Sequence, residues 1–334
     1  MGNGGIFSVI PIGWIVRINM VQYYYKSNGL LKEVTAQEPF TWVNLHPPFE
    51  TQELEAIAEE FNIPLDFLTD PLDINERSRY EKEDDVRLIV LNTPILNKFD
   101  QENESVYITV PIGIVWNAHW IITISSFENP VLNQIKNNRI KNIDPANLPH
   151  FILKIFEHNV YRFLNCLKKL NLKRNIIEQE LSDTLKNEGI LQLLKIEKSL
   201  VYFVNSLKSN ELLKLKIKRL DFIGLKSNDD WQDLFEDVII DNSQALEMAN
   251  VYTNILGKTT EAYSSIINNN LNRMMSRLTF VTLLMALPNI ITGLFGMNVP
   301  IPFQHWPYAF YLILALAISM STGLAFFLNR KRLF

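Results

Sequence analysis

Thr279, Thr282, Ala286, Asn289, Gly293 and Gly296 follow one another at intervals of three and four, in a stretch otherwise built of Phe280, Val281, Leu283, Leu284, Leu287, Ile290, Ile291 and Leu294. Those intervals mark one face of an α-helix, so the small and weakly polar residues form a single stripe on an apolar rod. Such a stripe has two readings. It can let helices approach closely inside a membrane, or it can be the wall of a water-filled path. Asn289 beside Pro288 favours the wall, because an amide in hydrocarbon is costly unless it meets water or a partner. The other groups able to do chemistry are carboxylates. Glu81, Glu83, Asp84 and Asp85 form one cluster, and Asp229, Asp230, Asp233, Glu236, Asp237 and Asp241 form another. On the residues alone, each reads as a solvated face with the capacity to attract cations.

The stripe needs a particular setting, and the sequence supplies it. From Leu278 to Asn329 there is no Asp, Glu, Lys or Arg, in a chain that is 20% charged. A bilayer disfavours each charge at its centre by roughly 2.5 to 3.5 kcal/mol, so this run reads as a membrane segment. It is too long for a single span of about 20 residues. It divides at "GMNVPIPFQHWP", which predicts a first span at 278–295, an external loop at 296–306, a second span at 307–328 and a basic tail at 329–334. Arg273 and Arg277 precede the first span, and Arg330, Lys331 and Arg332 follow the second. The positive-inside rule then places both termini in the cytosol of a multi-pass protein of the cell membrane. Trp306, Tyr308 and Tyr311 suit the outer interface. Two spans cannot enclose a water-filled path, so several copies must build it.

Upstream, "TWVNL", "VRLIVLN", "VYITVPIGIVW" and "HWIITISS" read as strands, with helical patterns at 51–61 and 64–70 and another from "NPVLNQIKNN". These predict a cytosolic α/β domain over 20–148. Residues 149–228 read as long antiparallel helices, the first on Val160, Phe163, Leu167, Leu170, Ile177, Leu181 and Leu185, broken at Gly189 and resumed from Ile190 to Leu220. Lys214, Lys216, Lys218 and Arg219 read as the solvated face of the second. A stalk helix is expected at 229–277, and residues 1–19 read as an N-terminal extension. The net charge of −4 argues against a nucleic-acid partner. The single Cys166 reads as a buried thiol. "ILGKTT" at 255–260 lacks the earlier glycine of a phosphate loop, since Tyr252 stands there, which excludes that nucleotide site. No nucleophile, base and orienter set points to an enzyme.

Gly296-Met297-Asn298 at the outer end of the first of two C-terminal spans, followed by a short aromatic loop and a basic tail, resembles the signature of the CorA family of divalent-cation transporters. "DINERSRYEKEDDVRLIVLN" at 73–92 and the stalk sequence from Phe235 to Met275 are similar to family segments as well. The resemblance implies a funnel-shaped homopentamer: an α/β cytosolic domain, a long helical stalk and two C-terminal transmembrane helices. It implies a selectivity filter of Gly296, Met297 and Asn298, and a pore that continues past Gly293, Asn289, Ala286 and Leu278 to Asn272 at the inner mouth, with Thr282 of the stripe on the same wall. It further implies Asp85 and Asp237 as ligands of regulatory magnesium between neighbouring subunits. The cargo would be Mg2+, with Zn2+, Co2+ or Ni2+ as the alternatives and a non-transporting membrane scaffold as the rival outside this class. Magnesium releases its water reluctantly, so a ring of neutral amide oxygens suits its hydrated form better than carboxylates, which would hold it too long. The loop "VPIPFQHWP" lacks the acidic residues common in the family, which leaves cation recruitment at the mouth without a carboxylate.

Overall fold

The computed structural model describes residues 20–35, 41–98, 105–183, 187–297 and 306–330. The chain divides into two compact units, Met1–Gly257 and Lys258–Phe334. The first contains a seven-stranded sheet of β1 (Val21–Ser27), β2 (Leu30–Val34), β3 (Trp42–Leu45), β4 (Arg79–Glu83), β5 (Val86–Leu96), β6 (Tyr107–Trp116) and β7 (Ile121–Ile124), in the order β2-β1-β3-β7-β6-β5-β4. Only β3 and β7 run parallel; every other neighbouring pair is antiparallel. The β1–β2 hairpin turns on Asn28 and Gly29, both at positive φ (53° and 81°), a backbone that asparagine and glycine adopt most easily. Asp84, at φ 48°, and Asp85 make the equivalent turn between β4 and β5.

Helices cover both faces of this sheet. Alternation along β5 sends Leu88 and Val90 towards one core, with Leu54 and Ile57 of α1 (Thr51–Phe61) and Phe67 and Leu68 of α2 (Leu65–Thr69). Ile89 and Leu91 face the other core, formed with α3 (Pro130–Lys136), α4 (Leu148–Asp183), α5 (Asn187–Leu220) and the start of α6 (Asp229–Phe295). Strands buried on both faces read as continuous apolar runs, which is what "LIVL" at 88–91 and "IGIVW" at 112–116 are. A buried polar net ties the long helices to the sheet. Ser78 Oγ donates to Asn210 Oδ1 at 2.6 Å, and the amides of Asn210 and Asn159 donate to the Asn92 carbonyl at 2.8 and 3.0 Å.

Two sequence expectations change here. Gly189 does not break a helix. It lies in the first turn of α5, where a Cβ would stand 2.6 Å from Leu181 Cδ2, so the glycine permits close approach of α5 to α4. Leu185 lies outside the described residues. Lys214 is not on a solvated face either: it is 0% exposed, whereas Lys216 and Lys218 are exposed and Lys218 pairs with Glu236 at 3.1 Å. The helical period is the reason, because Lys214 follows Leu213 and precedes Ile217 on the buried side of α5.

The second unit holds the C-terminal part of α6 and α7 (Ala309–Arg330). Asn228 starts α6: its side chain accepts from Trp231 N at 3.2 Å, and Asp229 and Asp230 in the first turn complement the helix dipole. From there α6 runs 67 residues without interruption, crossing from the first unit into the second. Both α6 and α7 contain stretches long and apolar enough to cross a membrane. The second apolar helix starts at Ala309 and continues to Arg330, so the first basic residue of the tail belongs to its last turn.

Candidate functional site

Within the second unit, the helical period sorts α6 into two sides. Leu284, Pro288, Ile291 and Thr292 face α7; Ile291 is 6% exposed, and the first two together with Thr292 line a groove of about 400 Å³ with Ile313, Ala317 and Ser321 of α7. Asn289 sits about 160° round the helix from Ile291, at about 100° per residue. The stripe is therefore on the side that α7 leaves uncovered. Asn272, Thr279, Thr282, Asn289 and Gly293 are all exposed, Leu278 is 60% exposed, and Ala286 is half-buried.

The hydrogen bonds along this face have a consistent direction. Thr279 Oγ1 donates to the Met275 carbonyl at 2.9 Å, and Thr282 Oγ1 donates to the Leu278 carbonyl at 2.8 Å. Each hydroxyl thus spends its proton on its own helix, and what remains for a neighbour is acceptor lone pairs. Acceptors suit the outward-pointing hydrogens of a cation's hydration shell. Thr292, on another side of the helix, makes the same back-bond, donating to the Pro288 carbonyl at 3.0 Å. At the C-terminal end of α6, Gly296 N donates to the Thr292 carbonyl at 2.9 Å, closing the last turn, and Met297 is 52% exposed. Asn298, Pro300 and Pro302 lie outside the described residues.

The two candidate regulatory carboxylates occupy different settings. Asp85 is exposed in the β4–β5 turn. Asp237 is exposed on α6, about one helical turn before Asp241. There Tyr161 is pushed upward by burial first, and then by the Glu157, Asp241 and Asp237 carboxylates. Among the described residues no group of three or more His, Cys, Asp or Glu could hold a metal ion. Sequence reasoning missed that Tyr161 of α4 lies within the field of Asp237, since α4 and α6 meet only in the fold.

A family model for a CorA-like Mg2+ transporter protein matches residues 37–331, nearly the whole chain. The chain belongs to this family. The cobalt/magnesium transport protein CorA of Methanocaldococcus jannaschii is 25% identical over 282 residues, covering 83% of this chain and 86% of that protein. The protein of the same name from Thermotoga maritima is 20% identical, covering 87% and 83%. Among solved structures, the complete CorA magnesium transporter of M. jannaschii overlays with a TM-score of 0.75 at 22% identity, over 93% of this chain and 98% of that one. The ZntB cytoplasmic domain from Vibrio parahaemolyticus overlays with a TM-score of 0.57 at 12% identity, over 76% of this chain and 98% of that one. At these identities the overlays establish the fold: the CorA α/β domain, the long helix and the C-terminal apolar helix.

Proposed function

We propose that this chain is a magnesium channel that admits hydrated Mg2+ to the cytosol down the membrane potential and is closed by cytosolic Mg2+. The observation that carries the reading is the uncovered stripe. The Asn289 side-chain amide is exposed, on a helix face that α7 does not shield, while its main-chain carbonyl accepts from Thr292 Oγ1 at 3.2 Å. Hydrocarbon would penalise that amide, and a water-filled axis shared by several copies would satisfy it. A homopentamer supplies such an axis, with Gly296, Met297 and Asn298 at its outer mouth, then Gly293, Asn289, Ala286 and Thr282 along the wall, and Leu278 and Asn272 towards the cytosolic end. Two charges moving down an inside-negative potential release about 4.6 kcal/mol per 100 mV, so no nucleotide is required.

Feedback falls to Asp85 and Asp237. Each is exposed, and neither has a metal-binding cluster within its own chain among the described residues, which fits ligands completed by a neighbouring subunit. Bound Mg2+ would neutralise facing carboxylates, and its loss would let them repel and open the pore. Cobalt is the second cargo to test, because the relatives from M. jannaschii and T. maritima carry both metals in their names; zinc and nickel complete the comparison. The deciding experiment is uptake into liposomes by the purified protein, with internal Mg2+ held low and then high. Wild-type uptake that falls with internal Mg2+ and vanishes in Asn298→Ala supports both filter and feedback. Absence of Mg2+ uptake, or uptake of another dication alone, would overturn the assignment of magnesium.

A further inference from the structure

Three helices of the first unit meet around one amine. Lys214 of α5 is 0% exposed, its Nζ donates to Asn242 Oδ1 of α6 at 2.6 Å, and it stands 5.9 Å from the centre of the Phe156 ring of α4. Asn242 is also fully buried, and its amide donates back to the Leu207 carbonyl of α5 at 3.0 Å. An ammonium has three donors to satisfy, and here a neutral amide oxygen takes one and an aromatic face offers a weaker substitute.

The surrounding charges do not supply a counter-ion. On α5, Glu211 accepts a hydrogen bond from Ser243 of α6, and Lys218 pairs with Glu236 of α6. On α4, Lys154 pairs with Glu157, and Glu157, Asp237 and Asp241 act on Tyr161, against which His158 lies edge-on. On the sheet side, Arg87 donates to the Phe222 carbonyl, and Arg79 is engaged by Asp70, Glu76 and Glu81. Burial therefore dominates, opposed only by the field of Glu211, and brings the Lys214 amine down to about 7.

We propose that Lys214 and Asn242 form a proton-controlled latch between α5 and α6: the helices close around a neutral amine, and protonation loosens the cytosol-side root of α6. The sign follows from linkage. An opened or unfolded Lys214 takes up its proton near the ordinary lysine value of about 10.4, well above the closed state. The closing contribution is thus fully present above about 10.4, weakens as pH falls, and is gone at and below the closed-state value of about 7, where both states are protonated. Between those limits the local opening constant rises about tenfold per pH unit lost. The latch rests on packing inside the first unit and is independent of which ion, if any, the chain conducts.

The test is amide hydrogen exchange of the full chain in detergent, read on peptides spanning 235–250 and normalised to β6, from about pH 9.5 to about pH 6.5 and corrected for intrinsic rates. In the wild type, protection at 235–250 should fall with pH and level off near neutrality, while β6 stays flat. Lys214→Met removes the proton site, and Asn242→Asp supplies a carboxylate that keeps the ammonium paired throughout; both should flatten the profile. If either variant does not fold, the other carries the comparison. A flat wild-type profile, or a wild-type slope retained in the folded variants, would overturn the latch.

Discussion

The two units handle their polar groups in opposite ways. In the first, Asn92, Asn159, Asn210 and Asn242 are buried, and each makes hydrogen bonds inside the chain. In the second, Asn289 is exposed, and so are large apolar side chains: Met285 at 66%, Ile290 at 58%, Phe310 at 68% and Phe326 at 68%. A chain that exposes so much apolar surface requires lipid or further protein against it. The first unit buries two apolar cores of its own, whereas the second presents its apolar helices to an environment that a single chain does not provide. Substitutions of buried groups in the first should therefore act on stability, and substitutions on the stripe should act on conduction.

The most direct test of this contrast is at the stripe. Asn289→Leu makes the wall apolar at its middle and should lower Mg2+ flux in liposomes at least about tenfold by dewetting, while the thermal midpoint of the first unit stays unchanged. A parallel loss of folding would place Asn289 in packing instead. Next is Trp42→Ala. Trp42 is 0% exposed, stacks on Tyr24 with ring centroids 4.7 Å apart and donates to Thr123 Oγ1 at 3.0 Å. Removing it should cost about 3 to 5 kcal/mol in denaturant unfolding. Asn210→Ala should cost about 1 to 3 kcal/mol in the same measurement, because the buried Asn92 N–H and the Ser78 hydroxyl lose their shared acceptor.

Smaller in energy, and sharper for regulation, is Asp237→Asn. It should leave maximal flux intact and raise the internal Mg2+ needed for half-closure; an unchanged dose-response would remove Asp237 from the feedback site. The smallest expected effect is Gly29→Ala. Gly29 turns at φ 81°, and no atom lies within 4 Å of the point where a Cβ would stand. Only backbone strain is added there, about 1 kcal/mol by thermal unfolding.

Much of this molecule was legible in one dimension. The absence of charge from Leu278 to Asn329 and the spacing of the stripe are properties of sequence alone, because a bilayer reads composition and a helix has a fixed period. The apolar strands β3, β5, β6 and β7 were legible for the same reason. The β1–β2 hairpin escaped notice although Asn28-Gly29 signalled it, since its strands carry a mixed pattern, "VQYYYKS" and "LLKEV". Lys214 escaped because one lysine among Lys216, Lys218 and Arg219 looks like its neighbours until the helix is rotated against its partners.

What the sequence determined by itself was therefore periodicity, span and charge, each set by local geometry or by the solvent around a segment. Only the tertiary structure decided which face of α6 is left bare, that Tyr161 lies within the field of Asp237, and that an amine lies sealed between α4, α5 and α6. Those facts depend on which distant segments meet, and burial, the quantity that governs both an unpaired amide and a lysine without a counter-ion, is a property of that meeting rather than of any residue.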